Sequence, residues 1–353
     1  MSIIEKAASK LGAEGKQRVK LAAFEVPAHP LPPSDVHDNG TGNQSRSTPS
    51  QEQALSPSQE QALPPSQEQA LSPSQERALP PSQERALPPS QEQALSPSQE
   101  QTPATPPPAA SRRITLNQAK MRDYGIVTPD QGRTQIAEQF RVIKRPLLTN
   151  AFNKGPGMIK NGNLIMVTSA LAGEGKSFCT VNLAMSIAME MDRTVLLVDA
   201  DVARPTVPKI LGLGTERGLM DILLDDDLDL ADVLIKTDIE KLTLLTAGRR
   251  HSHSTELLAS QSMGELLKEL AQRYSDRVVI FDSPPLLLTS EARVLASLMG
   301  QIVLVVEAET TSQQVVKETL RQIESCDVVN LIYNKARSFS GGEYYGNYYH
   351  ESA

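Results

Sequence analysis

The sequence predicts an α/β domain with a mostly parallel sheet flanked by helices, preceded by a long disordered linker. Three observations carry this expectation. Between about residues 113 and 338, β-branched apolar runs alternate with helical patterns. Those apolar runs are continuous rather than alternating, as strands buried on both faces require. Upstream, eighteen of the 25 prolines fall between Pro27 and Pro108, and no aromatic residue occurs between Phe24 and Tyr124. Such a stretch cannot bury enough apolar surface to offset its ordering entropy.

In chain order, residues 1–27 open with Ile3, Ile4, Ala7, Ala8 and Leu11 on one helical face. A helix this short is marginal alone, so it is read either as a docking helix or as a frayed terminus. Residues 28–112 form the linker. From Ser50 to Pro97 it repeats every eight residues, from SQEQALSP to SQERALPP. Eight residues are too few for a solenoid unit, and a proline closes every would-be helical turn. The repeat reads as a solvated spacer of polyproline and coil character, or as a docking array for a partner.

The globular region follows at 113–338. Its expected strands are 163–169, 194–199, 242–246, 277–281, 302–306 and 328–333. Its expected helices are 176–190, 255–274, 290–299 and 312–324. In such sheets ligands bind at the carboxyl ends of the strands. Residues 339–353 hold four of the seven tyrosines: Tyr344, Tyr345, Tyr348 and Tyr349. Glycines, asparagine and acids surround them, so the four rings are expected to be exposed as a binding or modification cluster.

Several classes are disfavoured. A net charge of -7 argues against nucleic acid as a partner held by broad electrostatics. Cys179 and Cys326 have no partners at metal-ligand spacing and read as small buried hydrophobes. No apolar run approaches the roughly 20 residues of a membrane helix, and MSIIEKAASKLG is no secretory signal. The expected location is cytoplasmic.

The chemistry begins at strand 163–169, which runs into Ala170-Leu-Ala-Gly-Glu-Gly-Lys-Ser177 and then a helix. This is a P-loop with Ala170 in place of the first glycine of G-x-x-x-x-G-K-[ST], and it implies a P-loop NTPase-like fold. Gly173 and Gly175 let backbone N–H groups turn toward phosphate oxygens, and the helix dipole adds positive potential. The cradle is expected to comprise Ala172, Gly173, Glu174, Gly175, Lys176, Ser177 and Phe178. Lys176 would reach the β- and γ-phosphates, and the Ser177 hydroxyl would ligate Mg²⁺. Two further strands end in acids, at Asp199-Ala-Asp201 and at Asp282. Each Asp alone could be a helix N-cap; together at one sheet edge they suit a Mg²⁺–triphosphate site.

These residues resemble the bacterial tyrosine kinases, P-loop autokinases of polysaccharide export. The resemblance covers about residues 114–353, and its strongest element is the tail Glu343-Tyr-Tyr-Gly-Asn-Tyr-Tyr349. MSIIEKA and AGRRHSHSTELLAS (247–260) look closer to the exosortase-associated branch. The resemblance implies ATP and Mg²⁺ as cofactors, with Lys176 and Ser177 in Walker A, Asp199 and Asp201 in the additional A′ motif, and Asp282 in Walker B. It makes Lys176, Asp199 and Asp201 catalytic, and Ser177, Asp199 and Asp282 the metal group. Asp199 is the implied base or orienter for the tyrosine hydroxyl. Asn334, after Tyr333, matches the adenine-side element. The family often has an arginine two residues after the second Asp; here Ala203 holds that place and Arg204 follows.

Further implications concern assembly. Glu138, Arg141 and Lys144 resemble the E-x-x-R-x-x-R helix through which members form rings, with lysine last. Residues spaced this way are expected to share a helical face; without the resemblance they would read as an ordinary solvated face. Tyr344, Tyr345, Tyr348 and Tyr349 are implied to be phosphorylated by a neighbouring subunit of a homo-oligomer. A membrane-embedded polysaccharide co-polymerase is implied as activator, at the inner face of the plasma membrane, and a tyrosine phosphatase is expected. The competing readings are a partitioning or cell-division-site ATPase and a nucleotide-gated scaffold. The former carries a second lysine early in its loop, where this chain has Leu171.

Overall fold

The computed structural model describes residues 113–273 and 276–336, together with the backbone of two short strands at 18–20 and 25–27. The expected docking helix at 2–11, the repeat linker and the tyrosine tail lie outside the described residues.

The element order begins with β1 (Arg18–Lys20), β2 (Glu25–Pro27), β3 (Arg113–Ile114), α1 (Gln118–Asp123), α2 (Gln135–Phe152), β4 (Leu164–Ser169), α3 (Lys176–Ala188) and β5 (Thr194–Asp199). Then come α4 (Val207–Leu211), α5 (Leu219–Leu224), α6 (Leu230–Val233), β6 (Ile235–Thr237) and β7 (Leu242–Leu245). The remainder is α7 (Ser254–Leu258), α8 (Gln261–Gln272), β8 (Arg277–Asp282), α9 (Ser290–Ser297), β9 (Gln301–Glu307), α10 (Gln313–Arg321) and β10 (Val328–Ala336).

All six expected strands are present in one sheet of order β1-β10-β9-β4-β8-β5-β7-β6-β3, with β2 also pairing with β10. Every pairing is parallel except β6 with β7. The two-residue period of a strand divides the core in two. Leu164 and Met166, Leu196 and Val198, and Val279 and Phe281 face one layer, which holds Met263, Leu266 and Leu270 of α8. Ile165 and Val167, Val195 and Leu197, and Val278 and Ile280 face the other, with Phe140 of α2 and Leu183 of α3. Continuous apolar runs in the sequence therefore correspond to strands covered on both sides. Each such side chain contributes roughly 1.5–3 kcal/mol by leaving water.

The structure departs from expectation in several places, and the short helices α1, α4, α5 and α6 are among the elements that the sequence reading did not single out. The single helix expected at 255–274 is two helices. Ser260 is extended and its hydroxyl accepts a hydrogen bond from the Met263 N–H at 3.2 Å, capping α8 and ending the previous helix. The sheet also carries strands that the sequence reading did not single out. β6 is only three residues long, and β1, β2 and β3 are two or three, too short to show periodicity.

Candidate nucleotide and phosphoryl-transfer site

The P-loop connects β4 to α3 along the carboxyl edge of the sheet. Gly173 and Gly175 have φ of 91° and 94°, the left-handed region that side chains disfavour. A Cβ on Gly175 would lie 2.0 Å from Nδ2 of Asn334, so both backbone conformation and space require glycine there. Ala170, at the position of the missing first glycine, is fully buried.

A network behind the loop fixes its shape. Glu174 is buried, and its Oε2 accepts a hydrogen bond from the Leu171 N–H at 2.7 Å while its Oε1 accepts one from the Thr311 hydroxyl. Asn334 Nδ2 donates to the Glu174 carbonyl at 2.8 Å. Glu174 and Asn334 thus brace the loop from the side of β9 and β10. Phe178 packs edge-on against Phe140 of α2, with ring centroids 6.5 Å apart.

Three carboxylates gather beside Lys176. Lys176 Nζ lies 2.7 Å from Asp201 Oδ2 and 3.4 Å from the Ser177 hydroxyl. Asp199 and Asp282 are register partners at the ends of β5 and β8, and both are fully buried. Asp199 Oδ1 accepts from the Asp201 N–H at 3.2 Å and its Oδ2 from the Val207 N–H at 3.1 Å, which shapes the loop after β5. Asp282 Oδ1 accepts from Thr180 at 3.0 Å, and its Oδ2 has no hydrogen-bond partner among the described residues.

Burial and the neighbouring Asp282 hold the Asp199 pKa well above the usual carboxylate range. Burial also raises that of Asp282, against the opposing pull of Lys176 and the hydroxyls of Ser177 and Thr180. For Lys176, burial disfavours the charge, but Asp282, Asp201 and Asp199 outweigh it and its pKa is raised. The site is therefore a lysine facing acids that repel one another.

These residues fit a magnesium nucleotide. Mg²⁺ is commonly held by one or two carboxylates together with substrate phosphates, and the buried, unpartnered Asp282 Oδ2 beside Ser177 is a suitable ligand. No group of three or more His, Cys, Asp or Glu side chains among the described residues forms a metal cluster by itself. The phosphates would have to complete the coordination.

Most of the expected residues converge: Gly173, Gly175, Lys176, Ser177, Asp199, Asp201 and Asp282 lie at one strand edge. Arg204 is exposed; its backbone N–H donates to Asp201 Oδ1 at 3.1 Å, and its side chain has no partner among the described residues. Lys144 corrects the expected shared face. Glu138 and Arg141 pair on the solvent side of α2, whereas Lys144 is buried and pairs with Glu190 at 2.7 Å. Six residues advance a helix by about 600°, which leaves the last position about 120° from the first. Cys179 is buried and burial pushes its thiol pKa up, as expected for a packing residue. Sequence reasoning missed Thr180, one turn beyond Lys176, and Thr311, whose partner is 137 residues away. The helical spacing was the available signal for Thr180; Thr311 had none.

Comparison with known proteins agrees with this geometry. A family model described as an AAA domain matches residues 162–333. The chain is 28% identical over 221 residues to the putative tyrosine-protein kinase CapB of Staphylococcus aureus, covering 62% of this chain and 92% of that protein. It is 28% identical over 233 residues to the tyrosine-protein kinase YwqD of Bacillus subtilis, covering 65% and 94%. Among solved structures, the chimerical protein CapA2B2 matches with a TM-score of 0.52 and 28% identity, over 65% of this chain and 94% of that one. The kinase domain of the Escherichia coli tyrosine kinase ETK shares the fold, with a TM-score of 0.51 and 24% identity over 65% and 92% of the two chains. A P-loop, two acidic strand ends and these relatives point the same way: over its P-loop domain the chain is similar to the bacterial tyrosine kinases.

Proposed function

We propose that this chain is an ATP- and Mg²⁺-dependent tyrosine autokinase that phosphorylates Tyr344, Tyr345, Tyr348 and Tyr349 of a neighbouring copy in a homo-oligomer. The observation that carries this is the convergence of Lys176, Ser177, Asp199, Asp201 and Asp282 at one strand edge, with Asp282 Oδ2 unpartnered among the described residues. Backbone N–H groups of the P-loop hold the β- and γ-phosphates, and Lys176 leaves Asp201 to neutralise them. Ser177 and Asp282 would hold Mg²⁺, which neutralises phosphate charge when bound. The tyrosine oxygen forms the new bond to the γ-phosphorus, the bond to the β–γ bridging oxygen breaks, and ADP leaves. Asp199, whose proton affinity is raised, orients the hydroxyl and accepts its proton.

Glu138 and Arg141, exposed on α2, are the proposed subunit contacts. Asn334 is proposed to line the adenine side while bracing the P-loop. A role in exopolysaccharide polymerisation and export, a membrane-embedded co-polymerase as activator, a tyrosine phosphatase and a site at the inner membrane face rest on the similarity to the bacterial tyrosine kinases. No helix among the described residues is long and apolar enough to cross a membrane.

The test is incubation of the purified chain with ATP and Mg²⁺, followed by phosphotyrosine mapping beside Lys176→Met and tail-deleted variants. Signal on Tyr344–Tyr349 that vanishes in Lys176→Met is expected. ATP hydrolysis without phosphotyrosine would move the chain to the partitioning-type ATPases.

A further inference from the structure

The carboxyl edge over β7 holds a basic cluster that the proposed phosphoryl transfer does not use. Gly218 and Gly248, thirty residues apart, pack backbone to backbone. A Cβ on Gly248 would lie 3.0 Å from the Gly218 nitrogen, and one on Gly218 would lie 2.0 Å from the Thr246 carbonyl oxygen. Gly248 also has a φ of 80°. The Thr246 hydroxyl donates to the Arg217 carbonyl at 3.1 Å, and the Leu219 N–H donates to the Thr246 carbonyl at 2.8 Å. The close approach brings Arg217, before one glycine, beside Arg249 and Arg250, after the other.

The cluster is partly pre-organised. Asp221, 1% exposed, accepts from Arg249 Nε at 2.6 Å through Oδ1, and from the Gly218 and Arg249 N–H groups through Oδ2. Arg249 is fastened through Nε alone and its side chain stays 73% exposed. Arg217 and Arg250 are exposed, and their side chains have no hydrogen-bond or ion-pair partner among the described residues. His251 and His253 follow, with ring centroids 5.7 Å apart. The acidic neighbours are Asp221, already engaged, and half-buried Glu216. A buried carboxylate steering one arginine among other unpaired arginines is an arrangement suited to a dense anion, since guanidinium groups bind phosphate bidentately.

We propose that the Arg217–Arg249–Arg250 cluster is a docking surface for this chain's own C-terminal tail once its tyrosines carry phosphate. The occupant rests on the autokinase reading. Four phosphotyrosines would add about -6 to -8 charges, whereas the unmodified Glu343–Tyr349 segment has one acid. Reach is sufficient. β10 ends at Ala336, and five strand steps separate it from β7, about 24 Å at ~4.8 Å per step. Both strands end on the same sheet edge. Tyr344 and Tyr349 follow Ala336 by 8 and 13 residues, an extended reach of roughly 26 to 45 Å. Docking would hold the product tail away from the P-loop.

The test uses the full chain, phosphatase-treated and free of nucleotide. Fluorescent peptides of residues 339–353, unmodified or synthesised with four phosphotyrosines, are titrated by anisotropy. The expected result is at least tenfold tighter binding of the phosphopeptide, weakened by salt and at least fivefold by Arg217→Glu or Arg250→Glu. Arg321→Glu, an exposed arginine on α10, should have no effect, and melting curves check that all variants fold. Equal affinity for both peptides, insensitivity to Arg217→Glu and Arg250→Glu, or full competition by ATP at the P-loop overturns the proposal. Because the phosphopeptide is synthetic, these outcomes do not depend on whether the chain phosphorylates itself.

Discussion

Lys176 Nζ sits 2.7 Å from Asp201 Oδ2, so the P-loop lysine is held by the second acid of the A′ motif. On the proposed reading, the cation that would meet phosphate is already neutralised, so nucleotide binding would exchange one anionic partner for another. Asp201→Asn should bind ATP at least as tightly as the parent chain, because the competing carboxylate is gone, while phosphotyrosine formation falls. Titration with a fluorescent ATP analogue, beside an autophosphorylation assay, measures both. More than tenfold weaker nucleotide binding would contradict this view of the pair.

Asp282 faces Asp199 in register and its pKa is raised, so the folded chain binds that proton more tightly than the unfolded chain. Its ionisation therefore costs stability as pH rises from the unfolded carboxylate range toward the folded pKa. Asp282→Asn removes that cost. It should raise the nucleotide-free melting temperature at pH 7.5, by about 2–4 °C for each kcal/mol recovered, and lower kinase activity at least a hundredfold. An unchanged or lower melting temperature would show that the pair is not under electrostatic strain.

The Glu174 side chain holds the loop through the Leu171 N–H and the Thr311 hydroxyl. Glu174→Ala removes the acceptor of the Leu171 N–H and frees Thr311; leaving such a group unsatisfied costs about 1–3 kcal/mol. The expected kinetic effect is a higher KM for ATP with a smaller change in kcat, because backbone donors are displaced while Lys176 and the acids remain. A change confined to kcat would place Glu174 in the chemical step.

Two changes on α2 should separate assembly from stability. Arg141→Glu alters an exposed position paired with Glu138 and should reduce oligomer in native mass spectra with little change in melting temperature. Lys144→Ala breaks a pair in which the lysine is buried and Glu190 is partly exposed. It should destabilise the fold by about 2 kcal/mol, below the 3–5 kcal/mol range for fully buried pairs. If Lys144→Ala instead dissociated a fully stable chain, its inward placement would lose its meaning.

Asp221 has the opposite pH behaviour. Burial works to raise its pKa, but Arg249 and the N–H groups of Gly218 and Arg249 lower it overall. Its carboxylate contributes stability above about pH 4, lost as pH falls through the folded pKa. Asp221→Asn should lower stability at pH 7 by about 1–2 kcal/mol, with the gap closing below pH 4. Denaturant midpoints at pH 7 and pH 3.5 test the sign.

Much of the core and much of the site were legible in the residues. The six principal strands are apolar runs long enough to show that both faces are covered. Lys176 and Ser177 announce themselves because a phosphate-binding turn needs glycines and a helix start within a few residues. Asp199, Asp201 and Asp282 could be read because parallel strands must end on the same edge. Local physics is short-ranged, and these features are local.

One miss was local: Ser260 caps α8 through the Met263 N–H three residues on, and a serine before a helix is a start signal that the reading of 255–274 passed over. The rest depended on contacts between distant segments. Glu174 could be a solvated loop acid until the fold placed Thr311 and Asn334 against it. Lys144 could be an interface charge until α2 packed on α3 and turned it toward Glu190. Arg217 meets Arg249 and Arg250 only where two glycines let backbones touch. Sequence by itself determined the sheet's principal strands, the phosphate loop and the acids at its edge, because each follows from neighbours along the chain. Tertiary structure decided which charges are paired, which carboxylates have a raised proton affinity and which arginines stand together, because Coulomb energy and desolvation depend on distances through space.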